Sequence, residues 1–134
     1  MPSYLAKNKL EIMVATHSCM LPIGTEAPHF ELEDVCTGKT IKLQKNEEAK
    51  GYLVAFICNH CPFVINLLQH MPDQFNKFRD EGIEIFAISS NDIDKYPQDS
   101  PEEMKKLSIE HQFGFPYLFD ENQQIATSYT AACT

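Results

Sequence analysis

The chain lacks any apolar stretch near the roughly 18 residues a membrane-crossing helix requires. Its first twenty residues set Lys7, Lys9 and Glu11 among the apolar positions, so they do not form a signal-peptide core. Positive charge is scarce: 11 Lys and Arg stand against 19 Asp and Glu, a formal net charge of −8. General attraction to nucleic acid or to an anionic membrane, which needs a basic footprint, is thereby excluded. A cytoplasmic location is the expectation. Repeats and low-complexity tracts are absent. Cysteine is limited to an odd five, not spaced as in a small disulfide-stapled domain. A second closely spaced cysteine pair is missing as well, and a structural zinc site would need one.

What is present amounts to a single domain in 134 residues. Residues 1–22 show no sustained period and read as an N-terminal extension; organisation begins at residue 23 and continues to 134. Phe30-Glu31-Leu32-Glu33 and Thr40-Ile41-Lys42-Leu43 alternate apolar with polar around the turn Thr37-Gly38-Lys39, predicting a hairpin. Gln44 to Lys50 is polar, a short helix or a loop. Leu53 to Ile57 is an unbroken apolar run, the pattern of a strand buried on both faces. Beyond Pro62 the period becomes helical, with Val64, Leu67, Leu68, Met71, Phe75 and Phe78 on one stripe and a kink expected at Pro72. Gly82 supplies a C-terminal cap, and Ile83 to Ile88 is a second buried strand, parallel to the first. Ser100-Pro101-Glu102-Glu103 reads as a capping box opening a helix that turns Met104, Leu107 and His111 inward and stops at Gly114. Phe115 to Phe119 is extended, and Gln123 to Ala132 can form a last helix.

The most specific chemistry lies in Cys58-Asn59-His60-Cys61, between that first buried strand and Pro62. C-x-x-C at a strand-to-helix junction is the setting of a thiol–disulfide site. A thiol of ordinary pKa, about 8.5, is only about 3% thiolate at pH 7, and a pKa near 7 raises that roughly fifteenfold. Orphan N–H groups at a helix start and a protonated His60 favour the thiolate. Cys58 comes first and is expected to be the more exposed, hence the nucleophile; Cys61, expected to be more buried, is the resolving thiol. Pro62 disfavours helical geometry at Cys61, so the helix can begin at Pro62 with the cysteines in a preceding loop. The competing reading is a thiolate site for Cu or Zn built from Cys58, Cys61 and Cys133.

Gly24-x-x-Ala27-Pro28-x-Phe30-x-Leu32, followed by the apolar strand and then by Cys58-Asn59-His60-Cys61-Pro62-Phe63-Val64, resembles the redoxin branch of the thioredoxin-like superfamily, the AhpC/TSA and TlpA-like proteins. The resemblance implies an α/β thioredoxin-like fold, a central mixed sheet flanked by helices. It implies a thiol–disulfide oxidoreductase that uses Cys58 and Cys61, needs no organic cofactor, and has protein or small-molecule disulfides and thiols as partners. Thiol peroxidase activity is the alternative, but a peroxidatic cysteine wants Thr or Ser three residues earlier, and Ala55 precedes Cys58 at that spacing. Trp is absent, so Ile57 stands where thioredoxins carry it before the first cysteine. The strand Tyr52 to Ile57 contains no Asp or Glu, so the buried carboxylate of thioredoxins is not evident. His60 before the second cysteine resembles oxidoreductases with a more oxidising site. In the family a cis-proline, further strands and a helix follow a segment like Ala131-Ala132-Cys133-Thr134. The chain reads as C-terminally incomplete, with an exposed sheet edge open to self-association.

The remaining candidates have plainer readings. Cys133 is either a third thiol near the site or a buried small hydrophobe. Cys19 and Cys36 are expected to be incidental, and His17, His29, His70 and His111 surface or satisfied residues. Phe63, Phe75 and Phe78 are expected in the core. Asn91-Asp92-Ile93-Asp94 lacks the glycine and distal Glu of a calcium loop and reads as a solvated loop.

Overall fold

The two alternating segments form the expected hairpin: β1 (Glu31–Asp34) and β2 (Thr40–Lys42) run antiparallel, pairing Leu32 with Ile41. The structure is a computed structural model describing residues 19–132; Cys133 and most of the N-terminal extension lie outside the described residues. Along the chain follow β3 (Gly51–Phe56), α1 (Pro62–Leu67), α2 (Met71–Asp80), β4 (Ile83–Ser89), α3 (Pro101–Glu110), β5 (Tyr117–Phe119) and α4 (Gln124–Ser128). A short 3-10 turn, Pro97–Asp99, precedes α3.

The strands form a five-stranded mixed sheet in the order β2-β1-β5-β4-β3. β3, β4 and β5 are parallel to one another, and β1 runs antiparallel to both β2 and β5. Alternation along β4 supplies both cores. Ile85 and Ala87 join Ile57, Val64, Leu68, Met104, Phe115 and Tyr117 in one cluster. Phe86 and Ile88 point the other way, joining Phe30, Leu43 and Leu118. This is the thioredoxin-like α/β arrangement expected from the sequence.

Several local expectations are corrected. β3 is only half-buried, because it forms one edge of the described sheet; β4, central beside it, is the strand covered on both faces. The polar stretch 44–50 takes the loop of its two alternatives. Pro72 does more than kink the helix. It stands in the first turn of α2, a new element that begins at Met71 after a break at Leu68, Gln69 and His70, with no N–H to give to the preceding turn. The break resets the helical register. Val64 and Leu68 are buried and Met71 and Phe75 pack on the core, whereas Leu67 and Phe78 are exposed. Phe63, at 61% exposure, is likewise a surface residue rather than a core one.

Gly82 ends α2 as expected, at φ +101, a backbone conformation that costs glycine no Cβ clash. Ser100 caps α3 by accepting from the Glu103 N–H at 3.3 Å. The reciprocal half of the capping box does not form: Ser100 N–H donates to the Pro97 carbonyl, and the Glu103 carboxylate takes Lys106 instead. α3 ends at Glu110, and Gln112 rather than Gly114 takes the left-handed turn, at φ 54.

Candidate active site

Cys58 lies two residues beyond the end of β3 and Cys61 is the residue before α1, so the two thiols lie in one tight loop at the strand end. Cys61 is extended, φ −68 and ψ 123, as the following Pro62 demands, and the helix begins at Pro62. Burial reverses the expectation from sequence order. Cys58 is only 1% exposed, while Cys61 is partly exposed. The physical reason is packing: Cys58 sits beside the fully buried Tyr117 and Asp99, which close over its sulfur, whereas Cys61 lies at the outer end of the loop.

Asp99 is the residue sequence reasoning missed. It ends the 3-10 turn before α3, is 0% exposed, and reaches the C-x-x-C loop across about forty residues of chain. Its Oδ1 accepts the Asn59 backbone N–H at 2.7 Å. Its Oδ2 accepts from His60 Nδ1 at 2.5 Å and from Asn91 Nδ2 at 2.9 Å. A buried carboxylate otherwise costs several kcal/mol, and these three donors are what offset it. With Nδ1 donating, the neutral His60 ring has its acceptor at Nε2. Tyr96 stacks on the same ring, centroids 4.3 Å apart and planes 11° from parallel. The buried carboxylate missing from β3 is therefore supplied by a different element.

Two further bonds hold the loop. Asn59 Nδ2 donates to the Gln98 carbonyl at 2.8 Å, and the Tyr117 hydroxyl donates to Asn59 Oδ1 at 2.9 Å. Burial, and then the charges of Cys58 and Asp99, push the Tyr117 phenol far above the ordinary tyrosine range, so it serves as a neutral donor. No local signal marks Asp99 or Tyr117 in the sequence. An acid just before a helix start is ordinarily solvent-facing, and Tyr117 reads as an ordinary strand residue.

Cys58 sulfur, a His60 ring nitrogen and an Asp99 carboxylate oxygen all lie within 4.8 Å of one another, a donor set soft enough for a transition metal. The His60–Asp99 contact at 2.5 Å is, however, a direct hydrogen bond. An ion held at about 2.0–2.2 Å from each atom would have to open it. The third thiol of the alternative metal set, Cys133, is outside the described residues. Elsewhere Cys19 is exposed, and Cys36 lies 2.8 Å from the Ser108 hydroxyl on α3, away from the C-x-x-C loop. In the 91–94 segment Asn91 serves Asp99, while Asp92 pairs with Lys95.

The model of the AhpC/TSA family matches residues 23–134. The chain belongs to the AhpC/TSA family. Among curated relatives, the thiol-disulfide oxidoreductase ResA of Bacillus thuringiensis (strain Al Hakam) is 28% identical over 109 residues, 81% of this chain and 58% of its own length. ResA of Bacillus subtilis (strain 168) is 27% identical over 112 residues, 79% of this chain and 54% of that protein. The chain thus spans somewhat over half the length of the curated relatives it matches. An uncharacterized conserved protein from Geobacillus kaustophilus superposes with a TM-score of 0.83 at 42% identity, covering 89% of this chain and 63% of the other. The thioredoxin domain of a thiol-disulfide oxidoreductase from Bacteroides vulgatus superposes at 0.61 with 22% identity, over 81% of this chain and 74% of its own, a likeness of fold. The ResA proteins that the chain resembles are thiol-disulfide oxidoreductases by name.

Proposed function

We propose that this AhpC/TSA domain exchanges electrons with protein or small-molecule disulfides through Cys58 and Cys61. One thiolate attacks a partner disulfide, forming a mixed disulfide and releasing one partner thiol. The second thiolate attacks the first cysteine, closing Cys58–Cys61 and releasing the other partner thiol. Two electrons pass to the partner, whose sulfurs leave carrying the two protons. An external dithiol reopens the pair, and the reverse sequence would oxidise a partner. What carries the reading is the placement of both cysteines in one loop at the end of β3, backed by the buried Asp99. Peroxidase chemistry is disfavoured by Ala55 at the position where Thr or Ser would assist Cys58.

The order of attack follows burial rather than sequence. In this conformation Cys61 is the thiol open to a partner sulfur, and attack through Cys58 requires the Asn59–Asp99 tether to loosen. Single-cysteine variants test this. At matched pH, Cys58→Ser, which keeps Cys61, should form a mixed disulfide with an aromatic disulfide reagent at least about tenfold faster than Cys61→Ser does. Faster trapping by Cys61→Ser would restore Cys58 as first attacker. Failure of both variants to form any adduct would sink the exchange reading.

A further inference from the structure

His60 beside the second cysteine suggests an oxidising site, because a positive charge stabilises the thiolate and hence the reduced pair. The structure adds a second charge that the sequence does not advertise. His60 Nδ1 is bonded to Asp99 Oδ2 at 2.5 Å, and both groups lie within 4.8 Å of the Cys58 sulfur. Asn59 N–H and Asn91 Nδ2 donate to the Asp99 carboxyl, which shares the proton of its bond with the His60 ring. A protonated His60 is then cancelled by Asp99, and a neutral His60 leaves the carboxylate's charge uncompensated. In neither protonation state does the pair present a net positive charge to Cys58.

Among the described residues, the groups that contact His60 and Asp99 do not restore one. Tyr117 and Tyr96 are neutral phenols, Cys61 can only add negative charge, and Lys95 is paired with Asp92 at 3.3 Å. Asp99 also accepts the Asn59 N–H at 2.7 Å, tying the C-x-x-C loop to the turn that enters α3. We infer that Asp99 is a positioning residue that cancels the effect of His60 and sets the Cys58–Cys61 pair at a reducing poise, so that the domain donates electrons to partner disulfides. The inference rests on the exchange reading. A charge that opposes the Cys58 thiolate destabilises the reduced form relative to the disulfide, so the dithiol more readily yields its two electrons and two protons to a partner disulfide, which leaves as two thiols.

The test uses the full chain, equilibrated at pH 8 with reduced and oxidised glutathione, alkylated and weighed by mass spectrometry. Asp99→Asn keeps the size and one acceptor oxygen but removes the charge. It should move the equilibrium toward the dithiol by roughly tenfold, about 30 mV for a two-electron couple. Asp99→Glu keeps the charge and should stay within about threefold of the wild type. An Asp99→Asn shift below about threefold, or toward the disulfide, overturns the inference; so does an Asp99→Glu shift as large as that of Asp99→Asn, which would mark a packing role alone. If Asp99→Asn does not fold, the wild type still decides. Equilibrated directly with a thioredoxin, its exchange constant should lie within about tenfold of unity, and a constant beyond that toward the dithiol of this domain overturns the reducing assignment. A wild type that closes no Cys58–Cys61 disulfide at any glutathione ratio instead refutes the exchange reading itself, before any variant is compared.

Discussion

At the scale of single residues, the C-x-x-C loop is held by groups that arrive from far along the chain. Tyr117 donates to Asn59, and its proton is held well above the ordinary tyrosine range by burial and by neighbouring negative charge. The sign of the pH effect follows. Below about pH 10 both folded and unfolded states keep this proton; above it the unfolded tyrosine loses the proton while the folded one retains it. Stability from this group is therefore full at neutral pH and falls above about pH 10, by about 1.4 kcal/mol per pH unit. Denaturant unfolding at pH 8 and pH 11 should show Tyr117→Phe losing part of this alkaline fall. The same variant should cost about 1 kcal/mol at pH 8, for the lost bond to Asn59. An equal alkaline fall in wild type and variant would contradict the assignment. Cys58, Cys61 and His60 could be read from the sequence because a four-residue motif carries them. Asp99 and Tyr117 could not, since only the fold brings the 3-10 turn and β5 under that loop. The burial of Cys58 is not legible for a related reason: order in a motif does not say which side chain the fold encloses.

At the scale of elements, turn and cap chemistry was readable wherever it is local. The hairpin, the Gly82 terminus and the Ser100 cap all depend on neighbours within a few residues. Replacing Ser100 by Ala should cost about 1 kcal/mol in chemical denaturation, because the Glu103 N–H loses its acceptor. Glu103→Gln should cost under about 0.5 kcal/mol, since Glu103 forms an exposed pair with Lys106 rather than closing a box. A Glu103→Gln penalty as large as that of Ser100→Ala would reinstate the reciprocal cap. The long apolar stripe after Pro62 does not keep to one buried face, for a physical reason. Once a new helix begins at Met71, positions on the two sides of the break no longer share a face, and Phe63, Ile65 and Leu67 on α1 meet solvent. Likewise β3 and β4 are similarly apolar in sequence, and only their places in the sheet decide which is enclosed.

At the scale of the whole molecule, one mixed sheet with a core on each face sets the C-x-x-C loop at the end of β3, against the turn that enters α3. Met104 links the two: it is fully buried on α3, packed in the cluster that contains Ile57, Val64 and Tyr117. Met104→Ala should cost about 2–5 kcal/mol, read as a lowered denaturation midpoint with an unchanged slope. The α/β class was legible in the alternation of apolar strands with helical periods, and the order in which the strands pair was not, because pairing joins segments as distant as β1 and β5. The central claim is that Cys58 and Cys61 form a reversible redox couple. The direct measurement is a titration in defined thiol–disulfide buffers, with alkylation and mass spectrometry reporting each cysteine. The account predicts a two-electron transition joining Cys58 to Cys61 within about 30 mV of −270 mV, abolished by Ser at either position. A pair that never closes, or one equivalent of co-purifying metal that blocks alkylation of both thiols, would contradict it.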